Sequence, residues 1–247
     1  IDSYHPTIFN NRRPNRNDTG IIDILSKDGF KVGYLKQMLG DSFLNKQTKV
    51  LVMIGMRRHQ SRFIADKEVH LLKKWLAEGG GLLLVVGHYP NGEGAIALMK
   101  ALGVEYANGY ANYPGLPGEK QDKLCSHFTM SRDNDLLSRH PVLVSESSNM
   151  LPVEQVKYLC GGAVFRNPED VILGLPTGTK IYYRNKVTKR LEVKHNGVQH
   201  QYAGMIGFEY GKGRVVIAAD QGIFRNLIKN FDGKRLYVTM NDPDADN

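Results

Sequence analysis

The sequence predicts an α/β domain built on a central, mostly parallel sheet that is flanked by helices. Two unbroken apolar runs, residues 50–54 and 82–86, are typical of strands covered on both faces. An amphipathic helix over about residues 66–78 separates these runs, with Val69, Leu72 and Leu76 on one stripe. Strands joined by a helix of this length indicate parallel pairing with right-handed crossovers. We expect one domain over residues 1–247.

The first half of the chain follows this alternation element by element. Residues 21–25 predict a helix capped by Asp18 or Thr19, and residues 30–32 predict a short strand. Glycines 79–81 end the long helix, and residues 92–102 predict another helix that Gly103 ends.

The second half of the chain predicts a β-rich insertion or extension at about residues 160–212. Residues 106–118, rich in Tyr, Asn, Gly and Pro, predict a long surface loop before it. Short strands are expected at 162–165, 171–173, 180–183 and 191–193. Residues 205–210 and 214–219 predict a hairpin, residues 224–228 the start of a closing helix, and residues 241–247 a frayed acidic tail.

Composition narrows the classes of function only slightly. The net charge of +8 suits either a polyanion-binding protein or plain solubility, and no nucleic-acid motif accompanies it. Cys125 and Cys160 allow either one disulfide or two buried thiols. No apolar run approaches the roughly 20 residues of a membrane span. The abrupt start at Ile1 looks like a strand whose first half was trimmed. An export signal could have been removed with it, so we expect a periplasmic or extracellular protein.

Three stretches resemble the class I glutamine-amidotransferase-like (flavodoxin-like) domains. They are KEVHLLKKWLAEGGGLLLVVGHYPNGEGAIALMKALGVEY, the motif Arg139-His140-Pro141-Val142, and GFEYGKGRVVIAADQGIFRN. Such domains accompany bacterial transport, gliding and secreted proteins, and an intraflagellar-transport subunit carries a relative of the fold. The resemblance covers most of the chain and implies the fold.

The same resemblance argues against glutaminase activity. Working amidotransferases carry a nucleophilic cysteine between glycines at the elbow after the strand, where this chain has Gly87-His88-Tyr89-Pro90-Asn91. No His-x-Glu pair follows late in the chain. A cysteine–histidine mechanism needs all its groups within hydrogen-bond reach, so the likeness carries over the scaffold without the chemistry.

Ligands of open parallel sheets bind at the carboxyl ends of the strands. We call the edge of the sheet that these ends form the rim. Polar side chains follow several predicted strands at this position, and the arginine-rich loop 10–17 follows the first of them. The candidate ligand-binding residues are Asp2, His5, Arg12, Arg57, His88, Tyr89, Asp220 and Gln221.

Each candidate has a structural alternative. Asp220 either binds a ligand or caps the next helix, and Arg57 either holds an anion or is solvated. His5, His59 and His88 have metal-ligand chemistry, but their spacing matches no metal motif, so we expect no metal or cofactor. Tyr106, Tyr110 and Tyr113 either stack on a sugar or pin their loop. The basic region 180–214 either binds a polyanion or protects sheet edges.

These observations favour a non-catalytic binding or accessory module that recognises a polar, carbohydrate-like ligand or a protein partner at the rim. The rival hypothesis is a hydrolase that uses Asp2 or Asp220 with His88 as acid and base, without a cysteine nucleophile. A third is an interaction subunit of a larger transport-type complex, which would expose an apolar patch.

Overall fold

The computed structural model describes residues 1, 20–40, 42–44, 47–55, 64–113, 127–143, 152–184, 191–196, 202–224, 226–231 and 234–239. Within them lie three α-helices: α1 (Gly20–Lys27), α2 (Asp66–Ala77) and α3 (Ile96–Ala101). The strands of the main sheet are β1 (Val50–Ile54), β2 (Gly81–Val85), β3 (Glu105–Ala107), β7 (Ala163–Phe165), β8 (Val171–Gly174), β11 (Ala203–Tyr210) and β12 (Gly213–Ala218). The α/β class predicted from the sequence is confirmed.

The main sheet has seven strands and is mixed. Its order is β1-β2-β12-β11-β7-β3, and β8 also pairs with β11. β2 lies between β1 and β12 and is parallel to both, with Leu83 in register with Val52 and Val216. β11 is antiparallel to β12, β7 and β8, and β3 is antiparallel to β7. The parallel character therefore belongs to β1, β2 and β12, while the other half of the sheet is antiparallel.

Helix α2 covers one face of this sheet because its apolar stripe is continuous. Leu72 and Leu76 are fully buried there, together with Leu51 of β1 and Leu84 of β2. The helix ends at Ala77, and the turn after it contains Gly79, whose φ of 115° only glycine adopts readily. The next residue, Gly80, lies directly under the Trp75 ring, where a Cβ atom would come within 2.3 Å of it. These glycines turn the chain from α2 straight into β2.

The opposite face of the sheet packs against a second apolar cluster. Val52 and Ile54 of β1 alternate with the residues that face α2, as a strand buried on both faces requires. Ile21 of α1, Tyr158 and Ile172 belong to this second cluster.

Three smaller sheets complete the described part of the chain. β4 (Tyr110–Asn112), β9 (Lys180–Arg184) and β10 (Leu191–Asn196) form one of them in the order β10-β9-β4. β5 (His127–Ser131) pairs with β6 (Gln155–Leu159), and β13 (Asn226–Phe231) pairs with β14 (Lys234–Thr239). 3₁₀ helices lie at Glu93–Ala95, Pro141–Leu143, Pro168–Asp170 and Gln221–Phe224.

Four sequence predictions need correction. The closing helix at 224–228 is wrong, because β13 begins at Asn226 and pairs with β14. Residues 30–32 are not a strand, because the chain there is irregular. The nearby bridge residue is Leu35, whose amide donates to the Ile1 carbonyl at 2.8 Å. The helix at 92–102 is split into a 3₁₀ turn and α3.

The predicted loop at 106–118 is the fourth correction, since its first part contains the end of β3 and all of β4. Residues 114–118 lie outside the described part. In the β-rich region at 160–212, β7, β8 and β11 are strands of the main sheet itself. Strands at 162–165, 171–173, 180–183 and 191–193 and the 205–219 hairpin are confirmed. The 241–247 tail lies outside the described residues. No helix in the described ranges is long and apolar enough to cross a bilayer.

Candidate functional site

The carboxyl ends of β2 and β12 form the described part of the rim. Because these strands are parallel neighbours, Gly87 and His88 after β2 come beside Asp220 and Gln221 after β12. The Val86 amide donates to the Ala218 carbonyl at 2.8 Å, which continues the ladder past the last strand residue. The topology thus places the predicted residues of both strand ends at one edge of the sheet.

A pair of glycines, Gly161 and Gly162, packs against this edge. The Gly162 amide donates to the Ala219 carbonyl at 2.8 Å, and the Gly161 carbonyl accepts the Ala111 amide at 2.9 Å. A Cβ atom on Gly161 would lie 2.5 Å from the Ala219 oxygen, and one on Gly162 would lie 2.9 Å from the Ala107 oxygen. Only glycine therefore permits this close approach of the backbones.

Asp220 is buried, with 2% of its surface exposed, and its carboxylate is held by backbone amides. Oδ1 accepts the Gly222 amide at 2.7 Å, and Oδ2 accepts the Leu159 amide. The first contact caps the 3₁₀ helix Gln221–Phe224, and the second ties that turn to the end of β6. Of the two roles predicted for Asp220, the geometry matches capping.

Two tyrosine hydroxyls brace the loops behind the rim. Tyr158 is fully buried and donates to the Gly162 carbonyl. Burial, reinforced by the negative charge of Asp220, raises the pKa of Tyr158 well above its usual value. The Tyr106 hydroxyl contacts the Gly87 carbonyl, with the Asn91 carbonyl and Asn108 Oδ1 each at 3.0 Å. Burial is also the largest cause that raises the pKa of Tyr106, so both tyrosines are neutral donors.

His88, Tyr89 and Tyr110 form the half-buried outer surface of the rim. The His88 and Tyr110 rings stack with centroids 4.5 Å apart and planes inclined by 22°. His88 Nδ1 lies 2.8 Å from the Tyr89 carbonyl, which can only accept, so this nitrogen carries a proton. The Tyr110 hydroxyl reaches the same carbonyl at 3.4 Å. Two aromatic rings are thereby held in one orientation beside the Tyr89–Pro90 peptide, which is cis.

Gln221 holds the one described side-chain atom that is buried without a hydrogen-bond partner, its Oε1. The side chain runs beside Gly87: a Cβ atom there would lie 3.5 Å from both Gln221 Cγ and Asn91 Cβ. Asn91 is itself buried. An unmatched buried carbonyl costs on the order of 1–3 kcal/mol. Gln221 is therefore a rim residue with an unmatched buried acceptor.

The structure thus brings together four of the predicted residues, His88, Tyr89, Asp220 and Gln221. The other four, Asp2, His5, Arg12 and Arg57, lie outside the described residues, as do His59 and the 10–17 loop. Tyr106 and Tyr110 brace the rim as described above. Of the basic region, the described residues form β9, β10, β11 and the start of β12. Within the described ranges, no group of three or more His, Cys, Asp or Glu side chains could hold a metal ion.

Sequence reasoning missed Asn91, Asn108, Tyr158 and the Gly161–Gly162 pair. A signal for the last existed, since two adjacent glycines before a strand indicate close backbone approach. Cys160 precedes them with a positive φ of 65° and is disulfide-bonded, while Cys125, the other cysteine in the sequence, lies outside the described residues.

Comparison with known proteins supports the fold and gives no information on an activity. No family model matches the sequence, and no curated protein matches it. Among solved structures, the chain is similar to the mmIFT52 N-terminal domain, with a TM-score of 0.60 and 14% identity over 91% of this chain and 86% of that one. This likeness supports the arrangement of the strands and helices alone.

Two further solved structures align more weakly. The exo-beta-1,4-mannosidase Op5Man5 from Opitutaceae bacterium strain TAV5 has a TM-score of 0.41 and 13% identity over 90% of this chain and 30% of that one. The cytoplasmic protein STM1381 from Salmonella typhimurium LT2 has a TM-score of 0.40 and 14% identity over 83% and 76%. At these scores neither supports an inference.

Proposed function

We propose that this protein is a non-catalytic binding module on an amidotransferase-like scaffold, which recognises a polar, carbohydrate-like ligand at the rim. The observation that carries the proposal is the stacked His88–Tyr110 pair at the same strand ends as Gln221, whose Oε1 is unmatched. Flat aromatic surfaces next to amide groups suit the alternating apolar faces and hydroxyls of a sugar.

The amides of the rim supply the polar half of such a site. Gln221 is partly exposed although its Oε1 is enclosed, so rotation of the terminal amide presents either its oxygen or its nitrogen. A ligand hydroxyl that donates to this oxygen would remove the penalty of the unmatched carbonyl. Recognition by neutral groups fits a neutral hydroxylated ligand better than a charged one.

The state of Asp220 supports binding rather than acid–base chemistry. A general acid or base must reach a proton on the substrate. Both oxygens of Asp220 already accept backbone amides inside the protein. The His88 nitrogen Nδ1 is likewise engaged with a backbone carbonyl. Neither the elbow residues 87–91 nor Asp220 and Gln221 supply a cysteine or serine nucleophile.

The test is a panel of neutral and acidic oligosaccharides screened by thermal shift and confirmed by calorimetry. We expect a neutral saccharide to stabilise the protein, and Tyr110→Ala and Gln221→Ala each to weaken its binding by about tenfold. Tyr34→Ala removes an exposed tyrosine elsewhere and serves as the matched control. The proposal is contradicted if both rim variants still bind the saccharide. It is also contradicted if the protein hydrolyses the saccharide and His88→Ala abolishes that hydrolysis.

A further inference from the structure

A cavity of about 430 Å³ lies on the sheet face opposite α2 and α3. Its floor is made by sheet residues of neighbouring strands, with Leu83, Val216 and Met205 among them. Its wall comes from Leu143 of the 3₁₀ helix Pro141–Leu143, Val156 of β6 and Ile223 of the 3₁₀ helix after β12. The volume is within the range of small-molecule sites in proteins.

The cavity is almost entirely apolar and is open to solvent at one end. Val50, at the first position of β1, is 50% exposed, and Val142 at the wall is 52% exposed. Parallel strands usually have both faces covered. Here α2 and α3 cover one face. On the other face, the described residues of α1, β6 and the 3₁₀ turns pack on the sheet, and the cavity lies beside β6 and the 3₁₀ turns. A contiguous apolar opening of this kind favours an apolar ligand.

Among the described residues that line the cavity, one is a cation, Arg214 at the start of β12. Arg214 and Val216 are two residues apart and so point to the same face of the strand. Arg214 is exposed, and within the described residues no ion pair joins it to Glu209, its register partner on β11. Val50, Gly81 and Arg214 share one row across the sheet, which places Arg214 at the same end of the cavity as the exposed Val50.

We propose that this cavity binds an aliphatic carboxylate, with the hydrocarbon tail inside and the carboxylate on Arg214. Each methylene of the tail that leaves water and packs against the apolar lining makes the free energy of binding more favourable. The guanidinium offers paired N–H donors that match a carboxylate in geometry and charge. This site adjoins the rim through the 3₁₀ helix Gln221–Phe224 but is lined by none of the rim residues His88, Tyr89, Asp220 and Gln221, and it does not depend on the function proposed for them.

The probe is dodecanoate, titrated by calorimetry below its micellar concentration into the whole chain. A matched titration with dodecyltrimethylammonium keeps the tail and reverses the charge of the head group. We expect dodecanoate to bind and the cationic probe to bind at least tenfold more weakly. Arg214→Gln should weaken dodecanoate about tenfold, whereas Lys212→Gln, an exposed cation in the adjacent turn, should leave it unchanged.

A second variant, Val216→Phe, fills the cavity from its floor and should reduce binding of dodecanoate at least tenfold while thermal denaturation shows that the protein still folds. The proposal is overturned if dodecanoate does not bind to the parent protein. It is also overturned if both probes bind equally and Arg214→Gln has no effect. If a variant loses saccharide binding at the rim but still binds dodecanoate, the result bears on the function proposed for the rim and not on this cavity.

Discussion

Asp220 Oδ1 accepts the Gly222 amide at 2.7 Å, and the same carboxylate reaches the Leu159 amide, which is 61 residues away in sequence. One side chain thus fixes both the turn after β12 and the end of β6. Because the carboxylate is buried, its loss would leave two amides without an acceptor.

Asp220→Ala is therefore expected to lower the free energy of unfolding by about 3 kcal/mol, and Asp220→Asn by less, since the amide keeps one acceptor oxygen. Urea denaturation measures both values. Asp135→Asn is the control, because Asp135 is exposed and has a φ of 58° that asparagine also tolerates. A cost for Asp220→Ala no larger than the control value would show that the two amides find other partners.

Gly161→Ala should destabilise the protein by about 3 kcal/mol, because its Cβ would lie 2.5 Å from both the Ala219 carbonyl oxygen and the Tyr158 hydroxyl. The backbones at Gly161 and Ala219 cannot move apart without breaking the hydrogen bond between the Gly162 amide and the Ala219 carbonyl. Gly40→Ala, where a Cβ meets nothing within 4 Å, should be neutral or slightly stabilising. The urea midpoints of the two variants provide the comparison, and equal midpoints would mean that the glycine pair is not close-packed in solution.

Glu68→Gln should cost about 1–2 kcal/mol, since Glu68 is buried and both its oxygens accept backbone amides. Oε1 accepts the Leu39 amide at 2.8 Å, and Oε2 accepts the Ala65 amide at 3.0 Å at the start of α2. The glutamine NH₂ must face one of these donors. Thermal and urea denaturation test this, with Glu78→Gln at the exposed end of the helix as the control. Equal stabilities of the two variants would contradict it.

Burial raises the pKa of Tyr183 from 10.0 to about 12, with a smaller contribution from the charge of Glu105. The native state then holds this proton more tightly than the unfolded state does. The stabilisation is present below about pH 10 and is lost as pH rises towards 12. We expect the free energy of unfolding to fall over this interval, and Tyr183→Phe to reduce the slope.

The ultraviolet absorbance of tyrosinate provides the direct measurement. The difference between the parent and Tyr183→Phe titrations should have its midpoint near 12 in the folded protein and near 10.0 in urea. A midpoint that is the same in both states would show that the ring is solvated in the native protein.

Much of the fold follows from local patterns in the sequence. The stripe on α2, the apolar runs of β1 and β2, and the hairpin β11–β12 each involve signals within about a dozen residues, and the structure has them. The strand-end rule also located His88, Tyr89, Asp220 and Gln221, because the ends of parallel strands must meet at one edge.

Where the sequence failed, the deciding contacts are between distant segments. The sequence predicts a helix start at residues 224–228, yet pairing with β14 makes the chain from Asn226 a strand, because strand preference depends on the neighbour available. Tyr106 looked like a loop residue, but β3 pairs with β7 and turns its hydroxyl onto the Gly87 carbonyl.

The sequence by itself determined the α/β class, the main strands and the edge where polar residues gather, since periodicity and glycine placement act over short distances. Only the tertiary structure decided that Asp220 is a buried cap, that Gly161 and Gly162 close the rim, and that one sheet face keeps an apolar cavity. Each of these depends on which segments meet in space, and burial and hydrogen bonding between segments far apart in the chain leave little trace in either segment alone.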